Sequence, residues 1–255
     1  MDVTIVGCSG SFAGPDSPAS SYLVRAQHEG RTWSILLDLG SGALGSLQRH
    51  IKPYAVDAVL ISHLHVDHCI DMCGLYVMMK YVPGGPGRDT MPTWGPSGTG
   101  VHLARAYGNS DGEDVLGVFD FHELRDREPV SIGPFTVTPV RVNHPVEAYG
   151  FRVECDGQVL VYTGDTDDCD ALSDLMEGAD LVLADAAFID GRDEARGVHL
   201  SGRRAAEAAV RAGGVKRLML THLPAWNDPE VCLAQASEVW PGEVELAVAG
   251  ETHRL

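Results

Sequence analysis

The chain has 255 residues, and 19 Lys and Arg against 36 Asp and Glu give it a formal net charge of −17 at pH 7. Hydrophobic residues make up 44% of it and charged residues 22%, which excludes disorder as the main state and is typical of a globular protein. No window approaches the roughly 18 apolar residues of a membrane span, and no signal peptide is evident. We expect a cytoplasmic protein with one domain over residues 1–255. Its acidic charge disfavours long nucleic acid as a partner.

Six cysteines occur, and none forms a CxxC pair. Cys69 and Cys73 are close enough to share one face of a helix. Reduced, buried thiols are the expected state in a cytosolic chain of this length. A soft-metal site at this pair is the alternative, although no further cysteine lies nearby to complete it.

Hydrophobic patterning predicts strands in the first third of the chain, at residues 3–7, 21–26 and 33–39. A short helix is expected from Leu39 to about Arg49, followed by a buried strand at 55–62. Residues 70–81 are apolar nearly all round, which predicts a buried helix.

Residues 83–100 contain ten Gly or Pro, so we expect a loop there, with a short strand at 91–94. A crossover connection is the favoured interpretation of this loop, and a lid is the alternative. A helix is predicted at 101–107. Further strands are predicted at 118–124, 134–143, 147–155, 158–163, 180–185, 218–221 and 244–249, and further helices at 168–176, 203–212 and 229–239. This mixture predicts an α/β or α+β fold with two sheets flanked by helices.

The segment His63-Leu64-His65-Val66-Asp67-His68 follows an apolar strand and contains four residues of types that can bind metals. Ligands collect at the carboxyl ends of strands in α/β sheets. His63 and His65 are two residues apart, so an extended backbone directs both to one side. Asp67 and His68 follow where the chain turns into a helix, so they would serve a second ion. Three further candidate ligands follow predicted strands in the same way: His144, Asp165 and His222.

This pattern resembles the metallo-β-lactamase superfamily, whose HxHxDH motif matches residues 63–68 and whose later His, Asp and His match the three further candidates. The resemblance covers the whole chain and implies an αββα sandwich of two mixed sheets flanked by helices, with metals at one edge. One ion is implied at His63, His65 and His144, and a second at Asp67, His68 and His222, with Asp165 and a water or hydroxide bridging them. Imidazole and carboxylate ligands suit Zn, with Mn or Fe as alternatives.

Metal ligands alone do not name a reaction. Two divalent ions exceed the negative charge of Asp67, Asp165 and a hydroxide by about one unit, so a monoanionic phosphodiester would neutralise the site. The loop that contains His199 resembles the HST-type loop of ribonuclease Z and related phosphodiesterases. That likeness implies that His199 donates a proton to the leaving oxygen and that Asp185, in place of the usual Glu, orients it. Asp67 would orient or deprotonate the nucleophile.

The long arm with which ribonuclease Z grips tRNA has no room here, because His144 and Asp165 are only 21 positions apart. Residues 7–11, 14–20 and 221–226 resemble the actinobacterial atypical class II cyclic-nucleotide phosphodiesterases. This resemblance implies hydrolysis of 3′,5′-cyclic nucleotides, cyclic AMP above all, to nucleoside 5′-monophosphates. The expected partner is a small anionic phosphodiester, with no long nucleic acid and no membrane. Related phosphodiesterases often dimerise, so a homodimer is one option.

Two residues are candidates for substrate contact. Trp226 is expected to stack on a base, with a core or rim aromatic as the alternative. Ser9 belongs to the Gly/Ser-rich loop 7–21, whose backbone N–H groups are expected to approach the phosphate. Other functions remain open on the same fold, namely a ribonuclease Z-like nuclease, a lactonase, a thioesterase, or a metal-binding protein without turnover.

Overall fold

Two seven-stranded sheets face each other in the computed structural model, which describes residues 1–109 and 117–255. Helices cover the outer face of each sheet. This is the αββα sandwich that the motif resemblance implies. Within the described parts of the chain, no helix is both long enough and apolar enough to cross a membrane.

The secondary structure of the described residues is as follows. The strands are β1 (Asp2–Gly7), β2 (Ser21–His28), β3 (Arg31–Leu37), β4 (Ala58–Leu60), β5 (Met91–Gly95), β6 (Phe119–Glu123), β7 (Val130–Ile132), β8 (Phe135–Arg141), β9 (Tyr149–Cys155), β10 (Gln158–Tyr162), β11 (Leu181–Asp185), β12 (Leu218–Thr221), β13 (Val244–Leu246) and β14 (Thr252–Arg254). The helices are α1 (Ala43–Leu47), α2 (Val66–Cys69), α3 (Met72–Tyr81), α4 (Thr99–Tyr107), α5 (Ala171–Met176), α6 (Gly202–Ala212) and α7 (Pro229–Ser237).

Both sheets are mixed, and they share one pattern of strand directions. The first has the order β14-β1-β2-β3-β4-β5-β6, and the second has the order β13-β12-β11-β10-β9-β8-β7. Pairing is antiparallel from β14 to β3 and from β7 to β10. It is parallel from β3 to β6 and from β10 to β13. The parallel halves bring several carboxyl ends of strands to a common edge, where ligands collect in such sheets.

Alternation along the strands divides the apolar core into three layers. In β2, Tyr22 and Val24 face the other sheet, whereas Leu23 faces the helices. In β11, Leu183 faces the first sheet and Val182 packs under the helices of the second. Because side chains on a strand point alternately to opposite faces, each central strand contributes to two layers.

The structure differs from the predicted elements in one helix and two strands. The predicted helix at 70–81 is preceded by the separate short helix α2, which contains Asp67 and His68. β7 and β14 were not predicted; each is a three-residue strand at the edge of its sheet. The Gly- and Pro-rich segment does contain the expected strand, β5, which pairs with β4 and β6. The segment is therefore a crossover connection.

The layer between the sheets generates a stability prediction at Phe151, which is fully buried there. We expect Phe151→Ala to lower the free energy of unfolding by about 3–5 kcal/mol, since the sheets cannot collapse onto the cavity. The same change at Phe12, which is 39% exposed, is expected to cost less than about 1 kcal/mol. Denaturant titration followed by circular dichroism measures both. Similar losses at the two positions would contradict this assignment of the core.

Candidate metal centre

The predicted ligands meet at one edge of the sandwich, just beyond the ends of four strands. His63 follows β4, His144 follows β8, Asp165 follows β10 and His222 follows β12. The remaining ligands, His65, Asp67 and His68, lie at or near the start of α2. All seven residues are therefore brought together, in two groups of four that share Asp165.

The first group consists of three imidazoles and a carboxylate. His63 Nε2 lies 3.0 Å from His65 Nδ1, which lies 3.2 Å from His144 Nε2. Asp165 Oδ2 is 3.6 Å from His63 Nε2. These are the residues that the resemblance implies for one ion, and they are spaced as donors around a common centre.

The second group consists of two imidazoles and two carboxylates. His68 Nε2 lies 3.2 Å from Asp165 Oδ1 and 3.4 Å from Asp67 Oδ2. His222 Nε2 lies 3.2 Å from Asp165 Oδ2. The Asp165 carboxylate therefore lies near both imidazoles of this group and near His63 of the first group. A ligand that bridges two ions requires this position.

Hydrogen bonds to the outer ring nitrogens orient several of these imidazoles. His144 Nδ1 donates to the Val198 carbonyl at 2.8 Å, and His222 Nδ1 shares a hydrogen bond of 2.9 Å with Ser20 Oγ. His68 Nδ1 donates to the Asp38 carboxylate at 2.7 Å. In each case Nε2 is left facing the centre, which is the arrangement of metal-bound histidines.

Unpartnered buried atoms supply a test of whether a metal fits. His68 Nε2, His222 Nε2 and Asp165 Oδ1 are buried and have no hydrogen-bond partner of good geometry. Buried polar atoms without a partner are rare and costly. Coordination of a cation would satisfy all three, and the nitrogen and oxygen donors suit Zn, Mn or Fe. The residues therefore fit a divalent metal.

The protonation states of the first group also suit a metal. Burial lowers the pKa values of His63, His65 and His144, so their imidazoles are neutral at neutral pH. Burial alone would raise the pKa of Asp165. The neighbouring histidines, His222 first, outweigh burial and hold that pKa well below its ordinary value. Neutral imidazoles around an ionised carboxylate are what metal binding needs.

His68 behaves differently. Burial would lower its pKa, but the carboxylates of Asp165 and Asp38 outweigh burial and raise that pKa well above its ordinary value. Without a cation, His68 therefore carries a proton that a metal must displace. Metal binding at the second group is thus linked to proton release.

His199 and Asp185 form the predicted acid–histidine pair. His199 Nδ1 lies 2.8 Å from Asp185 Oδ2, so the shorter Asp side chain does reach the ring. The Asp185 carboxylate is fully buried and also accepts the N–H groups of Thr166 and Ala187, both at 3.0 Å. Burial lowers the pKa of His199, but Asp185 and then Asp165 outweigh it and raise that pKa to about 9.

A cleft of about 330 Å³ opens onto these groups. It is lined by Ser11, Leu64, His65, Val66, Asp67, His144, Asp165, Val198, His199 and His222. Ser9 is not among the lining residues, because its hydroxyl turns away to the Ser17 carbonyl at 3.2 Å. Ser11 lines the cleft instead. Trp226 is also outside the lining, and its ring lies against Phe12 with 64% of the residue exposed.

Asp38 is the main site residue that the sequence analysis missed. It directly follows β3, is fully buried and has a φ of 60°. Its carboxylate accepts the backbone N–H of Ser62 at 2.6 Å and the Ser62 hydroxyl at 2.7 Å, besides the bond from His68 Nδ1. Tyr162 donates a fourth hydrogen bond at 2.9 Å. An acid at the end of a strand was the available signal, but the predicted strand 33–39 ran past it.

The backbone after Asp38 packs directly on the metal motif. Leu39 N–H donates to the His68 carbonyl at 2.8 Å. A Cβ at Gly40 would lie 1.8 Å from the Asp67 carbonyl oxygen, so only glycine fits there. The position of α2, and with it of two ligands, depends on this close contact.

A buried ion pair anchors the loop that contains His199. Asp167 bonds to the Arg204 guanidinium and accepts the Gly197 N–H at 2.7 Å. The next residue, Val198, provides the carbonyl that orients His144. The loop therefore holds a metal ligand and the acid–histidine pair in one arrangement.

The cysteines take no part in these groups. Cys69 Sγ donates to the His65 carbonyl at 3.3 Å, and Cys73 Sγ lies 3.8 Å from the Leu103 carbonyl oxygen. Burial raises the pKa of Cys69 to about 12, so it is a protonated thiol at neutral pH. All six cysteines are free. The structure thus favours the reduced-thiol interpretation over a soft-metal site.

The four hydrogen bonds to Asp38 generate a prediction. We expect Asp38→Asn to weaken Zn²⁺ binding about 10- to 100-fold, since an amide has one acceptor oxygen where a carboxylate has two. Competition with a chromophoric chelator measures this affinity. Asp120→Asn is the matched control, because the Asp120 side chain is 57% exposed. A folded Asp38→Asn protein with wild-type Zn²⁺ affinity would contradict the role assigned to this carboxylate.

Comparisons with known proteins agree with this geometry. The family model described as Beta-lactamase superfamily domain matches residues 34–223. The uncharacterized protein Rv1339 of Mycobacterium tuberculosis is 42% identical over 99% of this chain and 92% of its own length. The probable metallo-hydrolase YhfI of Bacillus subtilis is 29% identical over 98% of both chains. A crystal structure of YhfI matches with a TM-score of 0.85 over 99% of each chain.

A ribonuclease Z of Mycobacterium bovis is 28% identical over 100% of this chain and 98% of its own length. The family match covers most of the sequence, and the two donor groups lie at the edge of the sandwich where the motif places them. The chain therefore belongs to the metallo-β-lactamase superfamily and is a metal-dependent hydrolase of that fold.

Proposed function

We propose that the protein is a phosphodiesterase that hydrolyses small phosphodiesters with two divalent metal ions. Zn is the proposed metal, with Mn or Fe as alternatives. The proposed substrates are 3′,5′-cyclic nucleotides, cyclic AMP above all, and the products are nucleoside 5′-monophosphates. The observation that carries this proposal is the His199–Asp185 pair beside both donor groups. Because Asp185 holds Nδ1, Nε2 is the nitrogen that is free to meet a ligand in the cleft.

A histidine that a buried carboxylate holds beside a metal centre suits a poor leaving group. A ribose alkoxide needs a proton as it departs, whereas a thiolate leaves without one. The pair therefore supports phosphodiester hydrolysis over thioester hydrolysis. Similarity to a ribonuclease, which also cleaves phosphodiesters, supports the same chemistry.

Three observations support a small substrate. The cleft of about 330 Å³ is near the lower end of ligand pockets, which span roughly 300–1,000 Å³. β9 and β10 form a hairpin that fills most of the chain between His144 and Asp165, which leaves no arm there. The net charge of −17 opposes contact with a polynucleotide backbone.

The roles of the side chains follow from their places. When bound, the two cations would activate a water molecule and offset charge on the phosphoryl oxygens. Asp67 lines the cleft and orients or deprotonates the attacking water. His199 donates the Nε2 proton to the departing ribose oxygen, and Asp185 stabilises the ring in the orientation this requires.

A substrate panel tests the proposed function directly. Metal-loaded protein is assayed with cyclic AMP, bis(p-nitrophenyl) phosphate, a tRNA precursor, a lactone and a thioester. We expect turnover of the first two and none of the tRNA precursor at physiological salt. Efficient cleavage of the tRNA precursor would restore the nuclease alternative. Turnover of the lactone or thioester alone would overturn the phosphodiesterase proposal.

The shared position of Asp165 gives a prediction about metal number. After reconstitution with Zn²⁺, elemental analysis is expected to find two ions per chain, and Asp165→Ala is expected to weaken the binding of both. Asp168→Ala is the control, because the Asp168 side chain is 46% exposed and pairs with Arg211. A wild-type protein that binds only one ion per chain after reconstitution would contradict the two-metal proposal.

The proton-donor role gives a prediction about leaving groups. His199→Ala is expected to slow cyclic AMP hydrolysis by about 10²- to 10⁴-fold. The loss with bis(p-nitrophenyl) phosphate is expected to be much smaller, because p-nitrophenolate departs without a proton. Asp185→Asn is expected to show a milder form of the same pattern. Steady-state kinetics measure each variant.

His28→Ala is the control for these measurements, since the His28 side chain is 41% exposed at the end of β2. Metal content is expected to stay constant in the His199→Ala and His28→Ala proteins. Equal losses on both esters in His199→Ala would show that His199 binds phosphate rather than donating a proton.

A further inference from the structure

An aromatic pair in the loops beside the cleft is left in solvent. The rings of Phe12 and Trp226 are 4.8 Å apart between centroids and are tilted by 48°. Phe12 is 39% exposed and Trp226 is 64% exposed. Large apolar rings that remain exposed next to a ligand cleft indicate a contact surface, since burying them is favourable.

The two loops that hold these rings are locked together. Ser9 and Leu223 form a β-bridge, and the Leu223 N–H donates to the Cys8 carbonyl at 3.3 Å. A Cβ at Gly10 would lie 2.2 Å from the His222 carbonyl oxygen, so this contact requires glycine. The aromatic pair is therefore attached to the same backbone contact that positions a metal ligand.

Both rings are also close in sequence to residues of the site. Phe12 directly follows Ser11, which lines the cleft and has a φ of 65°. Trp226 is four residues after His222, a member of the second donor group. Left-handed φ values at non-glycine residues are uncommon and cluster at functional sites. His222 has one as well, at 58°.

The residues that line the cleft indicate how the part of the substrate beyond the phosphate is held, namely by apolar contact. Among the described residues that line it, none is Lys or Arg. A cationic side chain in the lining therefore cannot select the part of the ligand beyond the phosphate. An exposed indole can, because every nucleobase has an apolar face on which it stacks.

We infer that Phe12 and Trp226 form the base-binding platform of this cleft. This inference rests on the proposed function. The base stacks on the exposed indole of Trp226 while the phosphate lies among the candidate metal ligands, and Phe12 supports the indole through their ring contact. Stacking strength depends on ring area, so the platform favours purine over pyrimidine cyclic nucleotides.

The kinetic test compares two substrates that differ only in the base. These are cyclic AMP and the methyl glycoside of ribose 3′,5′-cyclic phosphate. In Trp226→Ala, the ratio of kcat/KM for cyclic AMP to that for the base-free ester is expected to fall roughly 5- to 150-fold, the usual range for one stacked base. The fall is expected to reside in KM. Phe12→Ala is expected to show a smaller fall, and Trp226→Phe to recover most of it.

Tyr81→Ala is the matched control, because Tyr81 is 65% exposed on α3 and does not line the cleft. Its substrate ratio is expected to equal that of the wild type. A Trp226→Ala protein with the wild-type ratio would overturn the platform. Equal losses on both substrates would also overturn it, because the loss would then be independent of the base.

A binding measurement separates this inference from the proposed function. Quenching of tryptophan fluorescence in the metal-loaded protein is compared for 5′-AMP and ribose 5-phosphate. We expect quenching by 5′-AMP alone, and its loss in Trp226→Phe. Quenching without cyclic-nucleotide turnover would uphold the platform and refute the proposed function. Turnover of cyclic nucleotides without quenching, together with a wild-type substrate ratio in Trp226→Ala, would uphold the proposed function and refute the platform.

Discussion

The Asp38 carboxylate joins the parts of the molecule that the metal centre needs. Ser62 extends from β4 of the first sheet, His68 lies on α2, and Tyr162 ends β10 of the second sheet, yet all donate to this one group. A buried carboxylate is costly unless it is well hydrogen-bonded, and four donors meet that condition. The hydrogen bonds thus offset the cost of burying the charge. They also hold two sheets and a helix together at the point where the ligands converge.

The electrostatics of the centre explain how an acidic protein can hold an anion. Burial keeps the imidazoles of the first group neutral, while the second group gathers its charge around Asp165. The overall charge of −17 repels extended polyanions, but bound ions reverse the sign over a few ångströms. Exclusion of long nucleic acid and binding of the proposed small phosphodiester would therefore be compatible in one molecule.

The ligand sets were predictable because each ligand follows a strand that a hydrophobic pattern reveals. The supporting residues were harder to find, since no pattern marks them. Asp38 was lost when the predicted strand ran two residues too far. Ser11 lines the cleft and Ser9 does not, because the Ser9 hydroxyl turns away to the Ser17 carbonyl. β14 depends on pairing with β1, so local sequence carries little sign of it.

That last pairing has a consequence for how the chain is made. In the described parts of the chain, β14 covers the outer edge of β1, and the hydroxyl groups of Thr4 and Thr252 lie 2.8 Å apart. Thr4 and Thr252 are separated by 248 residues, so a ribosome must synthesise the chain between them before the first sheet can acquire this strand. Contacts between such distant residues slow folding. Until β14 is made, the open edge of β1 is a site for wrong pairing with other nascent chains.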